Sequence, residues 1–393
     1  MRSSSLGWVW FIVAAALAAA CGPGVKVPPV NEPLDSKAWA DCAGDAESRE
    51  AVAMIDDLTL DTTRLECRAA TLAAAGKTDE ALDLLTEAGV RDKKDHRPHY
   101  LAGRILGDAG RYEEALAAYQ KSAERYPSME VPTERLGRQV RARDGDAAAL
   151  TFVGKADERG LCPYGCKGLL AELHHAAGDD AKAKEIYDKM VKDDPAEPAA
   201  YVGLAALSNS AGDYLAESDL LTQATEVAKF TELGPEAQAN VHYSHAFSRY
   251  NARKYKGAVK SIDRALELKG DRADWWVLAG WISLRLEDPA IALVKFDKAA
   301  ALDDKIAAAQ TGRGDAMLAL GREEDAIVAY QRAKTLDPAN AVILLKLAKA
   351  KAKAGAADEA KALFDEAVAL DKDHLPADLL KEVSALVNAP TGG

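Results

Sequence analysis

Residues 100–127 read YLAGRILGDAGRYEEALAAYQKSAERYP. Two amphipathic segments flank the turn Gly110-Arg111-Tyr112, and Pro127 closes the second segment. Gly103 and Ala115 are small where a larger side chain would bury more apolar surface. The fold depends on whether that choice repeats along the chain.

It does repeat. Steps of 34 residues from Gly103 reach Gly137, Ala171 and Ala205 forward and Ala69 backward. One step of 41 then reaches Ala246, and further steps of 34 reach Gly280, Gly314 and Ala348. Twelve residues after each lies a second column: Ala81, Ala115, Ala149, Ala183, Glu217, Ala258, Ala292, Ala326 and Ala360. Alanine makes up 80 of the 393 residues, so chance supplies about two of these nine positions. Four residues further on, every position is large and apolar: Leu85, Tyr119, Val153, Tyr187, Leu221, Ile262, Phe296, Tyr330 and Phe364. Self-similarity at a fixed period marks a stack of supersecondary units, none of which buries both of its faces alone.

The columns resemble the tetratricopeptide repeat over residues 62 to 374, most closely in WVLAGWIS (276–283) and AIALVKFDKA (290–299). The resemblance implies an all-α solenoid, a right-handed superhelix of about nine helical hairpins. Repeats one to five cover 62–231 and repeats six to nine cover 239–374. ELGPEAQ (232–238) is an inter-repeat insertion, and helices over 36–61 and 375–388 cap the ends. Residues 389–393 form a tail. Close approach of paired helices explains the small columns, since a larger side chain there costs about 1–3 kcal/mol. The large apolar column is expected to fill the space between neighbouring hairpins.

The N-terminus reads separately. MRSSS precedes the apolar run LGWVWFIVAAALAAA, then CGPG. A charged start, a short apolar run and small residues describe an export signal over 1–20. The run is short for a bilayer span of about 20 residues. Ala18-Ala19-Ala20-Cys21 resembles a bacterial lipobox, which implies a lipid on Cys21 and a tether over 21–35. Gly22 after that cysteine implies, by the same resemblance, the periplasmic face of the outer membrane. The alternative is cleavage that leaves Cys21 as a free thiol. Four cysteines remain, Cys42, Cys67, Cys162 and Cys166, an even set that suits two disulfides in an oxidising compartment. A metal on Cys162 and Cys166 is the weaker reading.

The formal charge of −12 argues against binding nucleic acid through its phosphates. No nucleophile elbow, phosphate loop, dinucleotide fingerprint or zinc-protease motif occurs, so neither an enzyme nor a cofactor is expected. His174-His175 and His242-x-x-His245 could be metal ligands, but structural histidines are expected there. In tetratricopeptide arrays the first helices line a concave face that takes a protein or peptide partner. The repeat register places Arg97, Tyr100, Arg104, Glu134, Arg138, Arg141, Glu172 and His175 on that lining in the first half. In the second half it places Asn209, Asn240, Tyr243, Phe247, Tyr250, Trp281, Arg285, Asp315 and Lys349. Arg97, Arg104, Arg138 and Arg141 read as a basic stretch suited to carboxylates, or as partners of neighbouring acids. Tyr243, Phe247, Tyr250 and Trp281 read as an aromatic hot spot, or as side chains buried against an opposite wall. The expected role is a non-catalytic scaffold or assembly factor of the bacterial cell envelope. The alternatives are an accessory subunit of a cell-wall synthase or hydrolase, and a polysaccharide-binding lipoprotein.

Overall fold

Alanine, leucine, glutamate and lysine favour helix, and every regular element among the described residues is helical. The structure is a computed structural model that describes residues 58–127, 131–371 and 373–388, together with Ala38 and Ala40. Cys21, Cys42, the signal, the tether, most of the expected N-terminal cap and the 389–393 tail lie outside the described residues. The chain forms two compact units, one ending at Ile186 and one beginning at Tyr187.

In the first unit α1 (Leu58–Ala74) pairs with α2 (Thr78–Arg91), α3 (Arg97–Asp108) with α4 (Tyr112–Arg125), and α5 (Thr133–Asp144) with α6 (Asp146–Glu158). Next, α7 (Tyr164–Ala176) packs on both α5 and α6. The helix α8 (Asp180–Asp193) contains the boundary between the units. In the second unit the pairs are α9 (Pro198–Ser210) with α10 (Tyr214–Glu226), α11 (Pro235–Asn251) with α12 (Tyr255–Leu268), and α13 (Ala273–Arg285) with α14 (Pro289–Leu302). They continue with α15 (Ala307–Ala319) on α16 (Glu323–Leu336), and α17 (Ala341–Lys353) on α18 (Ala357–Asp371). The last helix, α19 (Ala377–Val387), covers α17 and α18, with Val383 fully buried.

Local chemistry sets the helix ends. Pro98, Pro198, Pro235 and Pro289 stand in first turns, where a missing amide hydrogen costs nothing. Asp213, Asp288 and Asn340 accept hydrogen bonds from free first-turn amides. Gly110 takes a φ of 75° between α3 and α4, a left-handed conformation that glycine adopts without steric penalty.

The repeat columns form the core. All eight alanines of the second column are fully buried. The large apolar column packs directly onto the glycines, in its own hairpin as well as in the next. A Cβ on Gly103 would stand 2.8 Å from the Tyr119 ring, and one on Gly314 would stand 2.5 Å from Tyr330. Phe296 lies between two such positions, with a Cβ at 2.6 Å on Gly280 and at 2.2 Å on Gly312. The small column therefore makes room for a ring more than for a neighbouring backbone.

The stretch around 232–238 lies within the second unit. A short 3-10 helix, Ala228–Glu232, precedes it, and α11 is lengthened to 17 residues. The segment brings its own anchor, the buried Phe230, which packs with Ala205, Leu221 and Val241. Lys229 ties it to Asp194.

Candidate functional site

In the first unit the expected basic stretch is taken up by ion pairs and burial. Arg97 points to Glu66 on α1 at 3.0 Å, and the Glu66 side chain has no exposure. Tyr100 is buried and meets Tyr119 edge-on at 5.2 Å. Arg104 is 7% exposed, and burial pulls its pKa down. These three side chains are core and hairpin contacts and offer little to a partner. Arg138 bonds Glu134 at 3.0 Å and approaches Glu172 at 3.6 Å. Arg141 bonds Asp146 at 2.7 Å and approaches the same Glu172 at 3.6 Å. The Arg141 hydrogen bond holds Asp146 below the usual carboxylate range. His175 is paired with Asp180 at 2.6 Å. Pairing with neighbouring acids, the alternative reading of the sequence, is what the first unit presents.

Two cysteines of this unit are joined, Cys162 to Cys166, where the chain enters α7. Thr133 donates its hydroxyl to the Leu161 carbonyl beside them. Cys67 is also disulfide-bonded and fully buried.

The second unit gathers its expected residues into linked contacts. Asn209 on α9 donates to Glu217 on α10 at 2.9 Å. Asn240 is exposed on α11. Tyr243 stacks on Trp275 at 5.1 Å with rings 12° apart, and Arg272 lies 5.3 Å from the same indole. Phe247 is 38% exposed, with Tyr214 edge-on at 6.5 Å. Tyr250 meets Tyr255 at 5.8 Å, and its interaction with Arg285 on α13 raises the pKa of the arginine.

From there a polar network crosses three first helices. Asp315 on α15 accepts from Lys346 Nζ on α17 at 2.5 Å and from the Tyr330 hydroxyl at 2.5 Å. Lys346 is thereby fixed 4.9 Å over the Trp281 ring on α13, whose edge contact is Phe296 at 5.1 Å. Burial and the Asp315 charge raise the pKa of Tyr330, so its hydroxyl stays a donor. Lys349 reaches Glu382 of α19 at 2.8 Å. Lys346 lies over one face of Trp281, and Trp275 lies over one face of Tyr243. Of the four aromatics, Phe247 alone is classed as exposed.

Sequence reasoning missed Tyr214, Tyr330 and Lys346. The repeat register places Tyr330 in the large apolar column of the core. Lys346 stands 31 residues after its partner Asp315, three short of the 34-residue period, so the register aligns Lys349 with Asp315 instead. The histidines are structural. His245 is buried, shares a 3.2 Å hydrogen bond with Thr222, and has its pKa pulled by burial to about 3. His242 meets Phe230 edge-on at 5.4 Å. No cluster of three or more potential metal ligands occurs among the described residues.

Two stretches of the chain match family models. The chain carries tetratricopeptide repeats: a tetratricopeptide repeat model matches residues 68–130 and a TPR repeat model matches residues 314–355. A curated human protein, Protein O-mannosyl-transferase TMTC1, is 28% identical over 172 residues, 43% of this chain. The match spans 19% of that relative's length. Among solved structures, the tetratricopeptide protein YrrB, described as having an unusual peptide-binding site, is 19% identical at a TM-score of 0.40. That match covers 51% of this chain and 98% of YrrB. The pilF protein of Pseudomonas aeruginosa is 18% identical at 0.46, covering 56% of this chain and 96% of that one. The Cut9 and Hcn1 assembly is 13% identical at 0.47, covering 96% and 88%.

Proposed function

We propose that this chain is a non-catalytic scaffold that holds a protein or peptide partner in the bacterial cell envelope. The observation that carries the reading is the second unit's row of first helices. There Phe247, Tyr250 and Arg285 stand beside the network of Asp315, Lys346 and Trp281. Rigid aromatic anchors beside fixed charges are the groups that dominate protein interfaces. Asp315 holds Lys346 and Tyr330 by hydrogen bonds, so part of the surface a partner would meet is already ordered.

Export and a lipid on Cys21 complete the proposal, with the periplasmic face of the outer membrane as the location. The Cys162–Cys166 bridge and the bonded Cys67 favour an oxidising compartment. No helix among the described residues is long and apolar enough to cross a membrane, so attachment is assigned to the lipid.

Photocrosslinking in intact bacteria tests the partner. A benzophenone amino acid in place of Phe247 should give a discrete adduct with an envelope protein, and that adduct should weaken when Asp315→Ala releases Lys346. No adduct at Phe247 or Trp281 would remove the reading. Metabolic labelling with a lipid precursor tests the anchor. Label and membrane association should both disappear in Cys21→Ser.

A further inference from the structure

Eight of the nine hairpin turns carry a left-handed residue seven places after the small first-helix position; the α5–α6 turn differs, with its positive φ one place later at Gly145. Six hairpins use glycine there: Gly76, Gly110, Gly178, Gly212, Gly321 and Gly355. Two successive hairpins of the second unit do not. Arg253 and Glu287 occupy the position with φ of 60° and 61°. A side chain in that conformation meets a steric penalty that glycine avoids. Strain that survives at an exposed position points to a role for the side chain itself.

Apolar and basic side chains surround these two turns. Phe247 and Leu286 are large apolar residues left 38% and 36% exposed. Arg285 is exposed and interacts with Tyr250, and Tyr250 in turn contacts Tyr255, two residues after Arg253. Four cations stand in or beside the turns: Arg253, Lys254, Lys256 and Arg285. Among the described residues, the one ion pair they make is Lys254 with Asp219, at 3.8 Å. The turn carboxylates are Glu287 and Asp288, and Asp288 is engaged in capping the amide of Ile291 at 3.0 Å. A chain of net charge −12 thus carries a cation-rich edge with apolar anchors.

We propose that this turn edge docks an acidic protein segment bearing an aliphatic or aromatic side chain. Carboxylates of the segment meet Arg253 and Arg285, and its apolar side chain lies on Phe247 and Leu286. The site extends the scaffold reading from the first-helix face to the hairpin turns, and it rests on that reading.

The test uses the full chain and fluorescence polarisation. One labelled peptide alternates glutamate with leucine and phenylalanine, and a second has lysine for every glutamate. The glutamate peptide should bind, and the lysine peptide should not. Arg253→Gly should weaken binding about tenfold, equivalent to about 1.4 kcal/mol, while raising the thermal unfolding midpoint because the turn strain is gone. Weaker binding by a more stable protein cannot be a folding defect. Leu286→Ser should also weaken binding, and Val328→Ser, at an exposed apolar residue of α16, should not. Unchanged affinity in Arg253→Gly, equal binding of the lysine peptide, or no binding of the glutamate peptide overturns the proposal. If affinity falls in Trp281→Phe and holds in Arg253→Gly, the turn-edge site fails while the scaffold reading stands.

Discussion

Asn209 donates its side-chain amide to the Glu217 carboxylate at 2.9 Å, joining the two helices of one hairpin. Glu217 is 4% exposed and fills the place that alanine takes in the other eight repeats, and burial raises its pKa. Asn209→Ala should destabilise the second unit by about 1–3 kcal/mol, because it leaves a buried carboxylate without its donor. Glu217→Ala should cost much less, and the double variant should resemble it. A double-mutant cycle on urea unfolding measures the coupling. Additive single effects would show that the pair is incidental.

Phe296 between Gly280 and Gly312 gives a packing prediction. Gly312→Ala should destabilise by about 1–3 kcal/mol through overpacking. Phe296→Leu in the same chain should recover part of the loss, since the ring tip is what the added methyl meets. Thermal melts of the three variants decide the matter, and a stabilised Gly312→Ala would contradict the geometry.

Glu66 gives the first unit a pH dependence. Burial, with the nearby Asp95, lifts its pKa to about 8, while Arg97 works against that rise. The unfolded group titrates near 4.5. Between these values the folded chain keeps a proton that the unfolded chain has released, so stability falls as pH rises through the window. Amide exchange in α1 and α3 should therefore quicken from pH 5 to pH 8 beyond the intrinsic rate change. Glu66→Gln should abolish the excess. Equal excess in the variant would place the titrating group elsewhere.

His245 works in the opposite direction in the second unit. Its pKa is lowered to about 3 by burial, with smaller contributions from Arg249 and His242. The unfolded imidazole gains a proton below about 6.5, so this unit should lose stability as pH falls from there toward 3. The unfolding midpoint of His245→Gln should be flatter over that range than that of the parent chain.

The Cys162–Cys166 bridge closes a very short loop. Loop-closure entropy assigns such a crosslink about 2 kcal/mol. Replacing both cysteines by serine should lower the stability of the α5–α7 region by that order, read from local amide exchange. The α11–α14 hairpins, held by separate contacts, should be unchanged. A loss spread over the whole chain would show stronger coupling than nearest-neighbour stacking allows.

The hairpin period was legible because the small column is set by steric necessity. Tyr119, Phe296 and Tyr330 leave no room for a Cβ at their glycine partners, so the sequence keeps the pattern. The first-unit face was not legible. Register gives the direction in which a side chain leaves its helix, but not where a long one ends. Arg97 turns inward to Glu66, 31 residues earlier, and Arg104 is buried along its length. Phe247 remained exposed as expected, with Tyr214 meeting it edge-on at 6.5 Å. Trp281 did not, because Lys346 reaches across two helices to cover its ring. The left-handed Arg253 and Glu287 were visible in principle, as the two non-glycines of an otherwise glycine-rich turn position.

The position of Lys346 gives Trp281 a further use. A cation close to an indole shifts its emission, and Asp315 keeps that cation in place through a bond that any competing anion could loosen. The chain thus carries a built-in optical gauge. A guest that draws the ammonium away would change the colour of one tryptophan without touching it.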